Sequence, residues 1–415
     1  MAPFEIPGLI ISIVFFSLII YFVGQRNIPG QFHNMILNSV LIRIFGVLAY
    51  ASVVFIIYGG AGDPVVYFRW GQRFAEYFRQ FDLSPFFDRD VWRGPAFTGT
   101  NFVGYPSAIM IMLVGESYRG TWLLYSALCL VGLFYFAKVF YRAYGGAEYK
   151  TYLYILLLYP SLWFWTANVS KDTWMIFGVA VFLTGMVDKG RKQNIYVMAF
   201  GLLWCYLVRP QLAAMLAFAL AGAYFLGTLK KLTFKNVFIL VLSVVGAFYF
   251  LSVVGVEDVT EVTDFAEQTQ RKSSYGGSEI SLSQGPLKFI QAPVNILLRP
   301  FPWEVGGFLQ IISFFDVYFI WYLAFRNWRA VRRSFSMIRK DRLIAFCFIF
   351  IGLFAVGAGL ALVNLGLIAR QRIILYPFMF MIIYAYSDKR IAFLRKKRRE
   401  EQEKRYQEIA ELQKA

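Results

Sequence analysis

The chain has 415 residues, of which 58% are hydrophobic and 16% charged, and it carries a formal net charge of +17. An ordinary soluble domain is about 45–50% apolar, so this composition excludes a soluble globular protein and points to a membrane one. The basic excess does not argue for nucleic-acid binding, because lysines and arginines stand against the ends of apolar runs, where anionic lipid headgroups lie.

Apolar runs near the length that a ~30 Å hydrocarbon core requires recur throughout. They predict helices at 6–24, 40–59, 120–138, 150–165, 173–187, 194–208, 211–228, 236–254, 305–325, 343–362 and 372–387. The first run, IPGLIISIVFFSLIIYFVG, has no basic n-region and no small-residue cleavage site, so it reads as a retained helix. The run VGYPSAIMIMLVG at 103–115 is too short to span comfortably and reads as a re-entrant or interfacial piece. The expected fold class is all-α: a polytopic membrane domain over 1–387 with about eleven transmembrane helices. Two long loops, 60–119 and 255–304, are expected on one side, and a charged helical tail at 388–415 on the other. Cys129, Cys205 and Cys347 fall inside apolar runs and suit core packing.

Orientation follows from the basic residues. With eleven alternating spans, the connectors 25–43, 138–150, 188–193, 229–235, 326–342 and 388–415 share one side and hold 28 of the 42 lysines and arginines. That side is expected to be cytoplasmic, which puts the N-terminus outside and the C-terminus inside.

Charged residues then collect at the outer ends of spans. Lys171 and Asp172 interrupt the apolar stretch WFWTANVSKDTWMIFGVAVF and fall at the tip of a tight outer hairpin. The same plane receives Asp63 in GGAGDPVVYFRWGQRF, Asp88 and Asp90 in FFDRDVWRG, Arg209 in YLVRPQ, Arg299 in LLRPFPWEV, and Arg370 and Arg372 in IARQRIILYP. A single arginine at a helix end commonly snorkels to headgroups. Several converging guanidinium groups suit a phosphorylated lipid, because each pairs bidentately with phosphate. Asp63 can cap the following helix, with Pro64 at its first position, or accept a proton from a hydroxyl. Asp88 and Asp90 can simply pair with Arg89 or Arg93. Asp316 lies midway through a predicted span, as a functional carboxylate or as one hydrogen-bonded to a neighbouring helix. No nucleotide loop, dinucleotide fingerprint, zinc spacing or heme spacing is present. The cofactor therefore stays open: a divalent cation is compatible, but no motif specifies one.

The stretch GDPVVYFRWGQRFAEYF resembles the first large outer loop of GT-C-type multi-spanning glycosyltransferases, where a catalytic acid precedes a tyrosine and an amphipathic helix. RQRIILYPFMF is similar to the arginine-then-proline entry into the last span of such enzymes. YPSLWFWTANVSKD and LRPFPWEV resemble segments of multi-spanning proteins associated with bacterial surface polysaccharides. The resemblance implies a glycosyltransferase at the outer face of a bacterial inner membrane, using a polyprenyl-phosphate-linked sugar and a glycan or lipid acceptor. By that match Asp63 is the base and Tyr67 its neighbour in the site. Arg370 and Arg372, with Arg209 and Lys171, would hold the phosphate; Asp172 would orient Lys171, and Arg299 would contact the lipid headgroup. Three alternatives remain: a polymerase or ligase using a lipid-diphosphate glycan, a lipid-linked glycan transporter with Asp316 as its protonatable group, and a non-catalytic scaffold.

Overall fold

A computed structural model describes residues 5–87, 99, 101–187, 194–228, 280 and 286–412. Regular structure among them is helical, without β-strands. In chain order the helices are α1 (Glu5–Asn27), α2 (Asn34–Ser52), α3 (Asp63–Arg79), α4 (Ser84–Phe87), α5 (Gly104–Val114), α6 (Tyr118–Tyr144), α7 (Tyr149–Leu158), α8 (Pro160–Phe164) and α9 (Lys171–Met186). They continue as α10 (Ile195–Val208), α11 (Pro210–Thr228), α12 (Leu287–Leu298), α13 (Phe308–Arg326), α14 (Trp328–Ser336), α15 (Arg342–Ala361), α16 (Leu365–Arg372), α17 (Tyr376–Ala385) and α18 (Asp388–Leu412).

Six described helices are long and apolar enough to cross a membrane, or seven if the α16–α17 pair, bent by 51°, is one span. The chain is therefore a multi-helix membrane protein, with fewer full-length spans among the described residues than the eleven expected over the whole chain. The expected span 236–254 lies outside the described residues. Others are carried by shorter helices, and proline explains one break within an expected span and one boundary expected between two. Pro160 has no amide hydrogen to donate and forces Tyr159 to extended geometry (ψ 121°), so 150–165 divides into α7 and α8. Pro210 likewise leaves Arg209 extended (φ −145°, ψ 90°) between α10 and α11.

The core centres on α6, which packs against α1, α2, α7 and α9. Trp122, Tyr125, Phe134 and Phe136 on this helix are fully enclosed by protein. In contrast, α1 turns Ile6, Ile10, Phe15 and Phe22 outward, as a lipid-facing helix must. Two residue sets mark the two ends of the bundle. At the end rich in basic connectors, Lys138 donates to Asn27 (2.6 Å), Arg333 pairs with Asp388 (2.6 Å) and Tyr386 donates to Asp341 (2.8 Å). The opposite end carries Asp63, Asp172, Arg209 and Arg370.

Within the segment expected as the second long loop stands an apolar helix, α12, which enters the bundle from the Asp63 end. A Cβ on Gly359, near the C-terminal end of α15, would lie only 2.0 Å from the Ala292 carbonyl oxygen, so glycine alone allows this close crossing. Farther along α12, the Leu297 carbonyl accepts from the Trp321 indole (2.8 Å), well down α13. Twelve residues of helix reach only ~18 Å, so α12 ends inside the bundle. One basic residue counted with the connectors also proves internal. Arg43 is fully buried on α2, where it donates to Thr166 and, at 3.4 Å, to the Cys129 thiol.

Candidate functional site

Three helix ends from distant parts of the sequence meet at one charge cluster. The first is α3, entered through a turn in which Gly59, Gly60 and Gly62 adopt φ of 59°, 80° and 129°. Side-chain-bearing residues rarely tolerate these angles, so the glycines are what permit so tight an exit from α2. Gly62 is the N-cap residue, so Asp63 stands in the first turn of α3 and not at the cap position. The capping role expected as one option for Asp63 is therefore not the one adopted: its carboxylate turns to Arg370 instead. The second element is α9, capped by Ser170, whose hydroxyl accepts from the Thr173 amide (3.2 Å) and so sets Lys171 and Asp172 in the first turn. The third is α16, where Asn364 accepts from the amides of Gly366 (2.9 Å) and Leu367 (3.3 Å), and Arg370 and Arg372 occupy the last turn. Both carboxylates thus stand at positive helix ends and Arg370 at a negative one, each favoured by the aligned peptide dipoles.

Arg370 joins the cluster. Its Nε donates to Asp172 Oδ2 (2.5 Å) and its Nη1 to Asp63 Oδ2 (2.9 Å). The two carboxylates differ sharply in exposure: the Asp172 side chain is 0% accessible, whereas that of Asp63 is 54% accessible. Arg209 Nη2 stands 3.9 Å from Asp172 Oδ1 and its Nη1 donates to Gln371 Oε1 (2.7 Å). Lys171, half-buried, lies within electrostatic range of Asp63, Asp172, Arg209 and Arg370. Asp172 also has a partner that its sequence neighbourhood does not indicate, Arg370. Tyr67, one turn beyond Asp63 on α3, is buried, and burial pushes its phenol above the ordinary value, with the Asp63 charge adding to the shift. It stays a neutral hydrogen-bond donor. Tyr50 of α2 also reaches this group electrostatically, and neither it nor Gln371 carries a sequence signal that separates it from ordinary core or helix residues.

Arg372 and Arg299 do not join Arg370. Positions two apart on a helix point in nearly opposite directions, and Arg372 is 2% exposed and donates to the Arg299 carbonyl. Arg299 itself pairs with Glu304 (3.4 Å). The two residues meet at the end of α12, apart from the Arg370 cluster, and each makes a structural contact there. Asp316 belongs to this second group. Tyr376 donates to its carboxylate, and Tyr159 donates to its backbone carbonyl (2.7 Å), so the carboxylate is bonded to a neighbouring helix. Asp88 and Asp90 lie outside the described residues. Among the described residues no three His, Cys, Asp or Glu side chains gather closely enough to hold a metal ion.

Among the described residues, then, the mouth of the bundle holds three cationic side chains and two carboxylates, one of the carboxylates open to solvent. Such a cluster can hold an anion at the membrane surface and present a base beside it. No family model, characterised protein or solved structure matches the chain significantly. What the fold and site define is a class: a multi-helix membrane protein with a charged site assembled from helix ends.

Proposed function

We propose that the protein is a glycosyltransferase of the outer face of a bacterial inner membrane, taking its sugar from a polyprenyl-phosphate carrier. The observation that carries this reading is the single guanidinium of Arg370 held between a buried carboxylate, Asp172, and an exposed one, Asp63. The positive-inside rule supports an orientation with this end of the bundle outside and the basic connectors and α18 in the cytoplasm. The donor's phosphate binds Arg370, Arg209 and Lys171 where headgroups lie, its isoprenoid chain running along the apolar helices. As the acceptor hydroxyl attacks the sugar's anomeric carbon, its proton passes to Asp63 and a new carbon–oxygen bond forms. The bond from that carbon to the phosphate oxygen breaks, and the leaving phosphate gains a negative charge that the fixed cations stabilise. The same chemistry serves surface polysaccharide or glycoconjugate assembly.

The test is sugar transfer from a purified polyprenyl-phosphate-linked donor by the full chain in lipid nanodiscs. Asp63→Asn is expected to lower turnover by about 10²–10⁴-fold, the range typical of general-base catalysis. Undiminished transfer by that variant would remove Asp63 as the base.

The buried group of Asp316, Tyr376, Tyr159 and Arg372 favours one other reading, a transporter of the same lipid-linked glycan with Asp316 as its protonatable residue. Movement of lipid-linked sugar across proteoliposomes, abolished by Asp316→Asn with no sugar transferred, would select it.

A further inference from the structure

Asp63 occupies Nη1 of Arg370, one of the donors that a bound phosphate oxygen can use. The other bond of the same guanidinium goes to Asp172, which is fully buried and has Arg209 on its far side. An arriving anion can compete for only one of these partners. An exposed ion pair shifts an equilibrium by at most about fivefold, whereas stripping the partner from a buried charge costs several hundredfold or more. Asp63 also follows the glycine turn, where a Cβ on Gly59 would meet nothing within 4 Å and one on Gly62 only Pro64 Cδ at 3.7 Å. The carboxylate therefore sits on a segment with open space around it, at the end of a backbone that glycine leaves permissive.

We propose that Asp63 is a displaceable place-holder on Arg370: a ligand phosphate carrying one negative charge takes over Nη1, and only then is the Asp63 carboxylate released to act as a base. The inference rests on the function proposed above. The charges support it. Lys171, Arg209 and Arg370 against Asp63 and Asp172 leave one net positive charge among the described residues of the cluster. A phosphodiester donor carries one negative charge and balances the described residues of the cluster. Once the sugar has left, the phosphate monoester carries close to two negative charges at neutral pH. By then the acceptor's proton is on Asp63, so the cluster has gained one positive charge and the balance is restored. A diphosphate-linked donor would overfill it from the start. Tying the base to Arg370 until a donor binds also keeps it from activating water.

The test is equilibrium binding of two synthetic probes, farnesyl phosphoryl-hexose and farnesyl diphosphoryl-hexose, to the detergent-solubilised full chain, followed by tryptophan fluorescence. Wild-type protein is expected to prefer the phosphodiester. Asp63→Asn removes the competitor and one negative charge, so it should bind the phosphodiester about 3–10-fold more tightly and narrow the preference over the diphosphate. A phosphodiester that binds wild type but binds Asp63→Asn equally or more weakly overturns the place-holder and leaves the glycosyltransferase reading standing. Wild-type preference for the diphosphate overturns the charge matching. Binding of neither probe sinks both the inference and the proposed donor.

Discussion

Replacing Asp172 by asparagine keeps the side-chain volume and removes the one charge that holds Arg370 and Arg209 together at the mouth of the bundle. The carboxylate is fully buried, with Arg370 at 2.5 Å and Arg209 at 3.9 Å, and their side chains are only 12% and 24% exposed. Breaking a buried pair by removing one partner costs roughly 3–5 kcal/mol, since the remaining charge stays desolvated. Arg370 keeps Asp63 and Arg209 keeps Gln371, which places the expected loss at the lower end, about 3 kcal/mol. The matched control is Asp63→Asn on the same arginine. With Asp63 54% exposed, that change removes a solvent-screened pair and should cost under about 1 kcal/mol. Both values can be read from reversible unfolding of the purified chain by sodium dodecyl sulfate in mixed micelles, with tryptophan fluorescence as the signal. Equal losses in the two variants, or a larger loss for Asp63→Asn, would refute the division into a fixed and an exchangeable partner.

The two arginines of α16 should separate in the same way. Arg370→Ala is expected to weaken binding of the farnesyl phosphoryl-hexose probe by about tenfold or more, the worth of a charge-assisted contact, whereas Arg372→Ala should mainly lower stability by freeing the end of α12. Gly359→Ala should cost about 1–3 kcal/mol in the same unfolding assay, because a Cβ there meets the Ala292 backbone and not a yielding side chain. A cysteine introduced at Gly306 should react with an impermeant thiol reagent on intact cells and one at Ser336 should not. The native cysteines are buried and contribute no background, and the opposite pattern would reverse the membrane orientation.

The charged residues that abut apolar runs were legible as a group, because each stands where a hydrophobic pattern stops: Asp63 after GGAG, Lys171 and Asp172 after NVS, Arg209 before a proline. Their partners were not. Asp172 reads as the neighbour of Lys171 in sequence, yet it pairs across 198 positions with Arg370. Arg370 and Arg372 read as a pair, although helical geometry sends them to opposite sides, and only the end of α12 explains why the second is buried. Arg43 was counted with the connector 25–43 although the expected helix starts at 40, and α2 begins earlier still, at Asn34. Composition cannot decide such cases, since a buried arginine and a headgroup arginine look alike until the packing around them is known. The reverse holds for α12: its apolar sequence was visible inside a nominal loop, but too short for a span.

The long separation between Asp172 and Arg370 has a consequence for biosynthesis. Chain elongation at about 5–20 residues per second takes roughly 10–40 s to cover the 198 residues between them. For most of that interval α9 has been made but its buried carboxylate has only the more distant guanidinium, that of Arg209, and lacks the directly bonded one of Arg370. The start of α9 is therefore expected to stay nearer the hydrated surface until α16 emerges. A chain cut short before Arg370 should remain in that waiting state, which would make the far C-terminal third a checkpoint for the seating of a hairpin made long before it.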